Sequence, residues 1–341
     1  MMLFASIIAG SYLYYHIYKV LKIGKYRKII SAGILIGFLL CVVLSRLFLG
    51  IIIHLLIALL LSDIVYLMIK KTNFKKYFQV EIIAIVIASL LTVYGVYNVN
   101  HIQYVHYDIE IDKQFEDKRI LAISDIHLST AVRYDDLMQI KEKVKERDID
   151  MIFILGDFFD ESTHENEAKK AIQFFDELTA LCPVYYIVGN HDGNQGQIPI
   201  DEGLLKQIDE SRIVFLKDDV INVQGINIIG RLDRTYQRKE VQSLIKGINQ
   251  SEPIILLDHQ PRQTKENASL GVDLQLSGHT HNGQIWPAGT LCKILHINEV
   301  EYGHINIDGM DIIVSSGMGA WGFAIKSQGN CEILEIDLKQ K

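Results

Sequence analysis

The sequence predicts an α/β fold, β-sheets covered by helices, preceded by four transmembrane α-helices. Three observations predict it. Four apolar stretches fill the first hundred residues, β-rich runs alternate with helical ones from residue 119 onward, and five of those β runs end in loops crowded with Asp, His and Asn. At 341 residues, 49% of them hydrophobic, the chain is too long and too apolar for one ordinary soluble domain. Its charge is divided as well. Residues 1–100 hold ten Lys or Arg against only Asp63 and Glu81, an excess of eight, so the overall −7 leaves −15 on the rest. A basic, apolar first part reads as membrane. The acidic second part is large enough to bury its own core, and its charge argues against nucleic acid as a partner.

The apolar stretches run over Met2 to Val20, Ile29 to Leu44, Leu47 to Ile69 and Val80 to Tyr97, each approaching the ~20 residues of a bilayer-spanning helix. Tyr12, Tyr14, Tyr15, Tyr18, Tyr77 and Phe78 suit the membrane interface. No basic residue precedes the first stretch and no small-residue cleavage site follows it, so it reads as a retained span rather than a signal peptide. Basic residues stay cytoplasmic. Lys19, Lys22, Lys25, Arg27 and Lys28 follow the first span, Lys70, Lys71, Lys75 and Lys76 the third, and only Arg46 separates the second from the third. That pattern places the N-terminus and everything after about Asn98 outside, in a multi-pass protein of the cell membrane. His54, Asp63 and Glu81 lie in or beside the spans. A transport role would need such groups facing one another in mid-span, and Asp63 and Glu81 stand near span ends, where they reach the interface.

The expected division is a membrane region over 1–98, a linker over 99–118 in which a strand begins at Tyr107 to Ile111, and a domain over 119–341. In that domain Arg119 to Ser124, Met151 to Leu155, Val184 to Val188, Ile226 to Gly230, Pro253 to Leu257 and Asp273 to Leu276 read as buried strands. Tyr134 to Arg147, Glu165 to Leu181, Glu202 to Glu210 and Arg238 to Ile248 have helical spacing. Gly303 to Ile307, Asp311 to Ser315 and Cys331 to Leu338 close the chain as further strands. This alternation predicts layered α/β structure. Cys41, Cys182, Cys292 and Cys331 are few and far apart, with no Cys-x-x-Cys spacing, and read as free, structural residues.

The chemistry sits at strand ends, where open α/β sheets bind ligands. The loops carry Asp125-x-His127, Gly156-Asp157-x-x-Asp160, Gly189-Asn190-His191-Asp192, Asp258-His259 and Gly278-His279-x-His281. A mixture of carboxylate, amide and imidazole suits transition metals better than calcium. Seven ligands exceed one tetrahedral zinc; two ions about 3.5 to 4 Å apart, sharing a carboxylate, would use them all. Each motif alone is weak, because Gly, Asn and Asp are ordinary turn formers. Together and in this order they resemble the calcineurin-like metallophosphoesterase family, from about Arg119 to Leu338. The segments Leu256 to Pro261 and Leu276 to Gln284 look most like its bacterial, membrane-associated phosphodiesterase-like branch.

That resemblance implies a calcineurin-like sandwich of two mixed β-sheets flanked by helices. It implies a first metal on Asp125, His127 and His281, a second on Asn190, His259 and His279, and Asp157 bridging them. The ions would be two divalent metals, manganese, iron or zinc, with a metal-bound hydroxide as nucleophile. His191 would donate to the leaving group, with Asp160 orienting it. The expected function is therefore metal-dependent hydrolysis of a phosphodiester or phosphomonoester at the outer membrane face. A lipid head group, a lipid-linked pyrophosphate or a cell-envelope polymer would suit that location. Two other readings compete: a membrane receptor or scaffold that binds a phosphorylated ligand without turnover, and a protein Ser/Thr phosphatase. The family's usual glycine after Gly-His-Thr-His is Asn282 here, and the arginine and proline near its closing strands are missing around Lys326 to Glu332. Neither departure touches a ligand position.

Other features carry less. Ser315 to Gly322 is glycine-rich but lacks the Gly-Lys-Ser/Thr ending of a P-loop, and reads as a turn beside the site, with Trp321 or Phe323 as candidates for a substrate wall. Trp286 is a candidate lipid or head-group contact. Arg231, Asp233 and Arg234 could face the site from the end of a strand. His101, His106, His164, His296 and His304 read as linker, surface or loop residues.

Overall fold

The computed structural model of the chain describes residues 2–21, 26–74 and 79–341, with side chains for all of these except 2–7, 38–39 and 41–44. Lys22, Lys25, Lys75, Lys76, Tyr77, Phe78 and the Cys41 side chain lie outside the described residues. The chain divides into two compact units. One holds residues up to Tyr97 together with Phe323–Ser327, the other Asn98–Gly322 and Gln328–Lys341.

The first unit contains α1 (Met2–Val20), α2 (Arg27–Leu44), α3 (Arg46–Ile69) and α4 (Val80–Val99). All four expected stretches are helical. Among the described residues, however, only α3 and α4 are long and apolar enough to cross a membrane. In α1 the polar run of tyrosines, His16 and Lys19 dilutes the apolar content, and in α2 the side chains of 38–39 and 41–44 lie outside the described residues. On α3 and α4, Met68, Leu90 and Val93 stand more than 60% exposed, an outward face suited to lipid. The ionisable side chains Asp63, Glu81, His16 and His54 of the unit are paired. Asp63 accepts from Tyr12 Oη at 2.7 Å and meets His16 Nε2 at 3.1 Å; Glu81 meets Lys19 Nζ at 2.6 Å and His16 Nδ1 at 3.3 Å. His54 is buried between Ser327 Oγ and Thr92 Oγ1, at 2.7 and 3.2 Å. Satisfied in this way, these groups need no transport role to explain them.

The second unit is built on two six-stranded mixed sheets. The strands of the first sheet are β1 (Gln103–Ile111), β2 (Lys118–Ile123), β3 (Met151–Ile154), β4 (Val184–Tyr186), β5 (Val214–Phe215) and β12 (Glu332–Gln340), in the order β1-β12-β2-β3-β4-β5. The second has β6 (Asp219–Val223), β7 (Ile226–Gly230), β8 (Ile254–Leu257), β9 (Leu274–Ser277), β10 (Gly303–Ile307) and β11 (Met310–Val314), in the order β10-β11-β9-β8-β7-β6. β2 to β5 run parallel, as do β7, β8, β9 and β11. Their continuous Ile, Leu, Val and Phe content is what a strand buried on both faces requires. Ile120, Phe153, Leu155 and Tyr185 of one sheet pack with Ile228, Ile255, Leu257 and Leu276 of the other, forming the sandwich interior. The outer face of the first sheet is covered by α5 (Met138–Arg147), α6 (Glu165–Leu178) and α7 (Gly203–Asp209). α8 (Val241–Leu244), α9 (Thr264–Ser269) and α10 (Ala288–Ile294) complete the helices, α8 packing on the outer face of the second sheet.

The edge hairpins have direct sequence causes. β6 and β7 are joined through Gln224-Gly225, and β10 and β11 through Asp308-Gly309, all four residues with positive φ, as a tight two-residue hairpin demands. Two expectations shift. The segment expected as a linker supplies β1, because Gln103 to Ile111 pairs in parallel with β12 from the far end of the chain, a partner that local periodicity does not reveal. The helix expected over Arg238 to Ile248 contracts to the single turn of α8.

Candidate metal centre

Five strand ends converge. β2 delivers Asp125 and His127, β3 delivers Asp157 and Asp160, β4 leads to Asn190 and His191, β8 to His259, and β9 to His279 and His281. Two groups of donors form there. Asp125, His127 and His281 offer ligand atoms within 4.8 Å of one another, and Asp157, His259 and His279 do the same. Asp157 Oδ2 lies 3.1 Å from His259 Nε2 and 3.8 Å from His127 Nε2, so it stands between the groups. Asn190 Oδ1 joins the second group at 2.9 Å from His279 Nδ1, and His281 Nε2 is 3.4 Å from Asp125 Oδ1. The structure thus brings all seven expected ligands together.

The local backbone is unusual. Asp125, His127, Asp157, His279 and His281 all have φ between 43° and 72°, a left-handed conformation that is uncommon outside glycine and concentrates at functional sites. Gly156 makes one approach possible: at φ +87°, a Cβ would lie 2.6 Å from the Gly189 nitrogen and 2.8 Å from His259 Nδ1.

Hydrogen bonds around the donors decide whether metal fits. His259 Nδ1 is 2.7 Å from the Leu155 carbonyl, which assigns it as the proton donor and leaves the Nε2 lone pair directed at the Asp157 carboxylate, out of line for a hydrogen bond. His127 Nδ1 is 3.1 Å from Asp160 Oδ2, and its Nε2 is 3.1 Å from His281 Nε2. Lone pairs facing a carboxylate and a second imidazole are unfavourable until a cation, or a proton in its stead, lies between them. Rings held through the other nitrogen by a carbonyl or carboxylate are the arrangement of metal-ligating histidines. The residues present therefore fit two divalent ions.

The charges agree. Burial alone would raise the Asp157 carboxyl, but His259 and then His127 facing it hold it well below the usual range. Burial would lower His259, and Asp157 instead drives it well above its ordinary value. A metal ion would displace that proton. Burial, with His259 adding to it, holds His279 down to about 4, so its ring is neutral at pH 7.

Several supporting residues were not foreseen. Asp192 is buried and accepts the main-chain N–H groups of Asp157, Phe159 and Gly189 at 2.8, 2.9 and 2.7 Å, tying two ligand loops together. It is the last letter of the Gly-Asn-His-Asp motif, the signal that could have singled it out. Burial and the Asp157 charge push it up to about 6. Asp160, expected to orient His191, instead meets His127; the carboxylate beside His191 is Glu161, at 3.2 Å from Nδ1. Asp160 follows β3 on the side where His127 stands, and motif order alone could not separate the two rings. Arg231 does not face the site. It is buried on Asp258 at 3.0 Å, with Arg238 on the other carboxylate oxygen at 3.1 Å, bracing the residue before His259. Trp321 does stand beside His191, with ring centroids 5.1 Å apart.

Comparisons with known proteins agree with this geometry. Residues 118–283 match the family model described as calcineurin-like phosphoesterase, a span containing all seven candidate ligands. An uncharacterized metallophosphoesterase of Helicobacter pylori is 32% identical over 241 residues, covering 68% of this chain and 63% of that protein. One from Campylobacter jejuni is 30% identical, covering 69% and 62%. A transmembrane protein with metallophosphoesterase domain from Danio rerio is 27% identical over 284 residues, covering 77% and 63%. The chain spans less than two thirds of the length of these curated relatives. Residues 118–283, which carry the seven candidate ligands, form a calcineurin-like phosphoesterase domain.

Proposed function

We propose that the protein is a membrane-anchored hydrolase of phosphodiesters or phosphomonoesters, working through a binuclear metal centre on the outer membrane face. The observation that carries this reading is the pair of three-residue donor groups with Asp157 between them. Asp125, His127 and His281 would hold one ion and Asn190, His259 and His279 the other. Together the ions would supply Lewis acidity toward the phosphoryl oxygens and activation of water.

The chain's own residues do the rest. The Leu155 carbonyl and the Asp160 carboxylate fix the His259 and His127 rings with Nε2 toward the centre. Asp192 locks the loops that present Asp157 and Asn190. His191 belongs to neither donor group; its main-chain N–H binds Asp157 Oδ1 at 2.7 Å, placing the ring at the rim. With Nδ1 held by Glu161, Nε2 is the nitrogen that donates a proton to the leaving oxygen. The apolar α3 and α4 and the basic loops of the first unit support anchoring with the second unit outside, and thus a substrate in or near the outer leaflet.

The test is hydrolysis of bis-p-nitrophenyl phosphate and p-nitrophenyl phosphate by the full chain in detergent, with manganese, with chelator, and in His191→Ala and Asp157→Ala. Metal-dependent turnover lost in both variants is expected. Stoichiometric binding of two ions with no ester cleaved would replace the hydrolase by a receptor for a phosphorylated ligand.

A further inference from the structure

Next to the residue assigned to the leaving group, one large aromatic ring stands on a hydrogen-bonded main chain and is left open. Trp321 is 47% exposed, and its ring lies 5.1 Å from that of His191 at an interplanar angle of 38°. A single exposed aromatic needs no explanation by itself; the way this one is held supplies the reason to ask. Gln284 brackets its main chain, accepting from Trp321 N–H at 2.9 Å and donating to the Trp321 carbonyl at 3.0 Å. Just upstream, the N–H groups of Met318 and Gly319 donate to the carbonyls of Ser124 and Asp125 at 2.8 and 2.9 Å. The loop is therefore pinned to the strand end that presents a metal ligand, and its aromatic side chain is presented rather than packed away. The half-exposed Glu161 carboxylate meets the same histidine, 3.2 Å from Nδ1.

We propose that Trp321 is a stacking platform that selects phosphoesters with an uncharged aromatic leaving group, such as an aryl alcohol or a nucleoside. The inference rests on the reading that His191 serves the leaving oxygen. A flat ring beside that oxygen meets the Trp321 face, an arrangement whose favourable offset and tilted geometries have centroids 4.5–7 Å apart. Glu161 opposes any leaving group that carries a further phosphate, so pyrophosphate linkages are disfavoured.

The experiment uses the full chain in detergent with manganese and compares Trp321→Leu and Trp321→Phe on two diesters. Bis-p-nitrophenyl phosphate releases an aryl alcohol, and glycerophosphoglycerol releases a polyol. The ratio of kcat/KM for the aryl over the polyol diester is expected to fall about tenfold or more in Trp321→Leu, the scale of a lost stack between a base and an aromatic side chain, and to recover mostly in Trp321→Phe. An unchanged ratio overturns the proposal. Trp286 is the only other tryptophan in the sequence, so in a Trp286→Phe background the emission reports Trp321 alone; quenching by p-nitrophenyl phosphonate is expected. If no ester is hydrolysed at all, the hydrolase reading fails, and the emission titration still decides this proposal: quenching sustains the platform, and its absence removes it.

Discussion

Replacing Asp160 by Asn separates two roles for one carboxylate. Its Oδ2 receives His127 Nδ1 at 3.1 Å and Thr130 Oγ1 at 3.3 Å, and its Oδ1 receives the Ser162 N–H at 2.6 Å. An amide has one acceptor oxygen for these two directions. If that oxygen stays on Ser162, the NH2 group faces His127 Nδ1, which then keeps its lone pair there and carries its proton on Nε2, the nitrogen directed into the donor group. If the oxygen turns to His127, the NH2 group meets the Ser162 N–H. The first costs the ring the tautomer that frees Nε2 and the second leaves the Ser162 N–H without its acceptor, about 1–3 kcal/mol, consistent with the 10–100-fold loss of metal affinity typical when a partner behind a ligating histidine is removed. Calorimetric titration of the full chain with manganese should show that loss, while kcat at saturating metal stays within a few-fold of the parent. A fall in kcat with unchanged manganese affinity would refute the argument and return Asp160 to His191.

Three further outcomes follow from the geometry. Asp258→Ala leaves Arg231, whose side chain is fully buried, without its 3.0 Å partner; a loss of about 3–5 kcal/mol is expected, read by denaturant titration, whereas Asp201→Ala on the exposed 201–202 turn should change little. Gly156→Ala adds left-handed strain of about 1–2 kcal/mol and a clash with the Gly189 backbone and the His259 ring, so the melting temperature should drop by roughly 10 °C. Burial, with Asp150 adding to it, pushes Cys182 up to about 11, and Cys331 is fully buried; in a Cys41→Ser background, maleimide at pH 7.5 should label Cys292 alone in the folded protein, with mass spectrometry locating the adduct.

The part of the site legible in the sequence is the part that chemistry restricts to few residue types. Asp, His and Asn at strand ends marked all seven candidate donors, because such side chains ligate borderline metals and the carboxyl ends of parallel strands gather them. The residues that hold the donors were less legible. Asp192 and Asp160 are carboxylates inside recognised motifs, yet which ring or N–H each one meets depends on loop conformation. Arg231 read as a loop residue that could face the site or stand solvated, and proved to be a buried brace on Asp258. The fold divides in the same way. The parallel strands of continuous Ile, Leu and Val were visible from burial on both faces. β1 was visible only in part, because its partner lies more than two hundred residues away, and α8, α9 and α10 are too short for helical periodicity to declare itself.

The left-handed ligands explain why the donor residues were readable while their backbone was not. In each of five candidate ligand positions the chain turns off a strand end with φ values of 43° to 72°. Each such residue costs on the order of 1–2 kcal/mol relative to a right-handed one, so the five together oppose folding by an amount comparable to the lower end of a domain's net stability. Glycine would relieve that strain but supply no ligand, and Asp, Asn and His are the non-glycine residues most often found in this region of backbone space. The residue types that metal chemistry selects are thus also those that tolerate the turn. The sandwich core, with strands of both sheets packed on one another and Asp192 fastening two of the loops, is what holds the remaining strain. A site prepared in this way would meet two cations with its candidate ligands already convergent, which is where preorganisation gives an advantage over a flexible chain carrying the same seven residues.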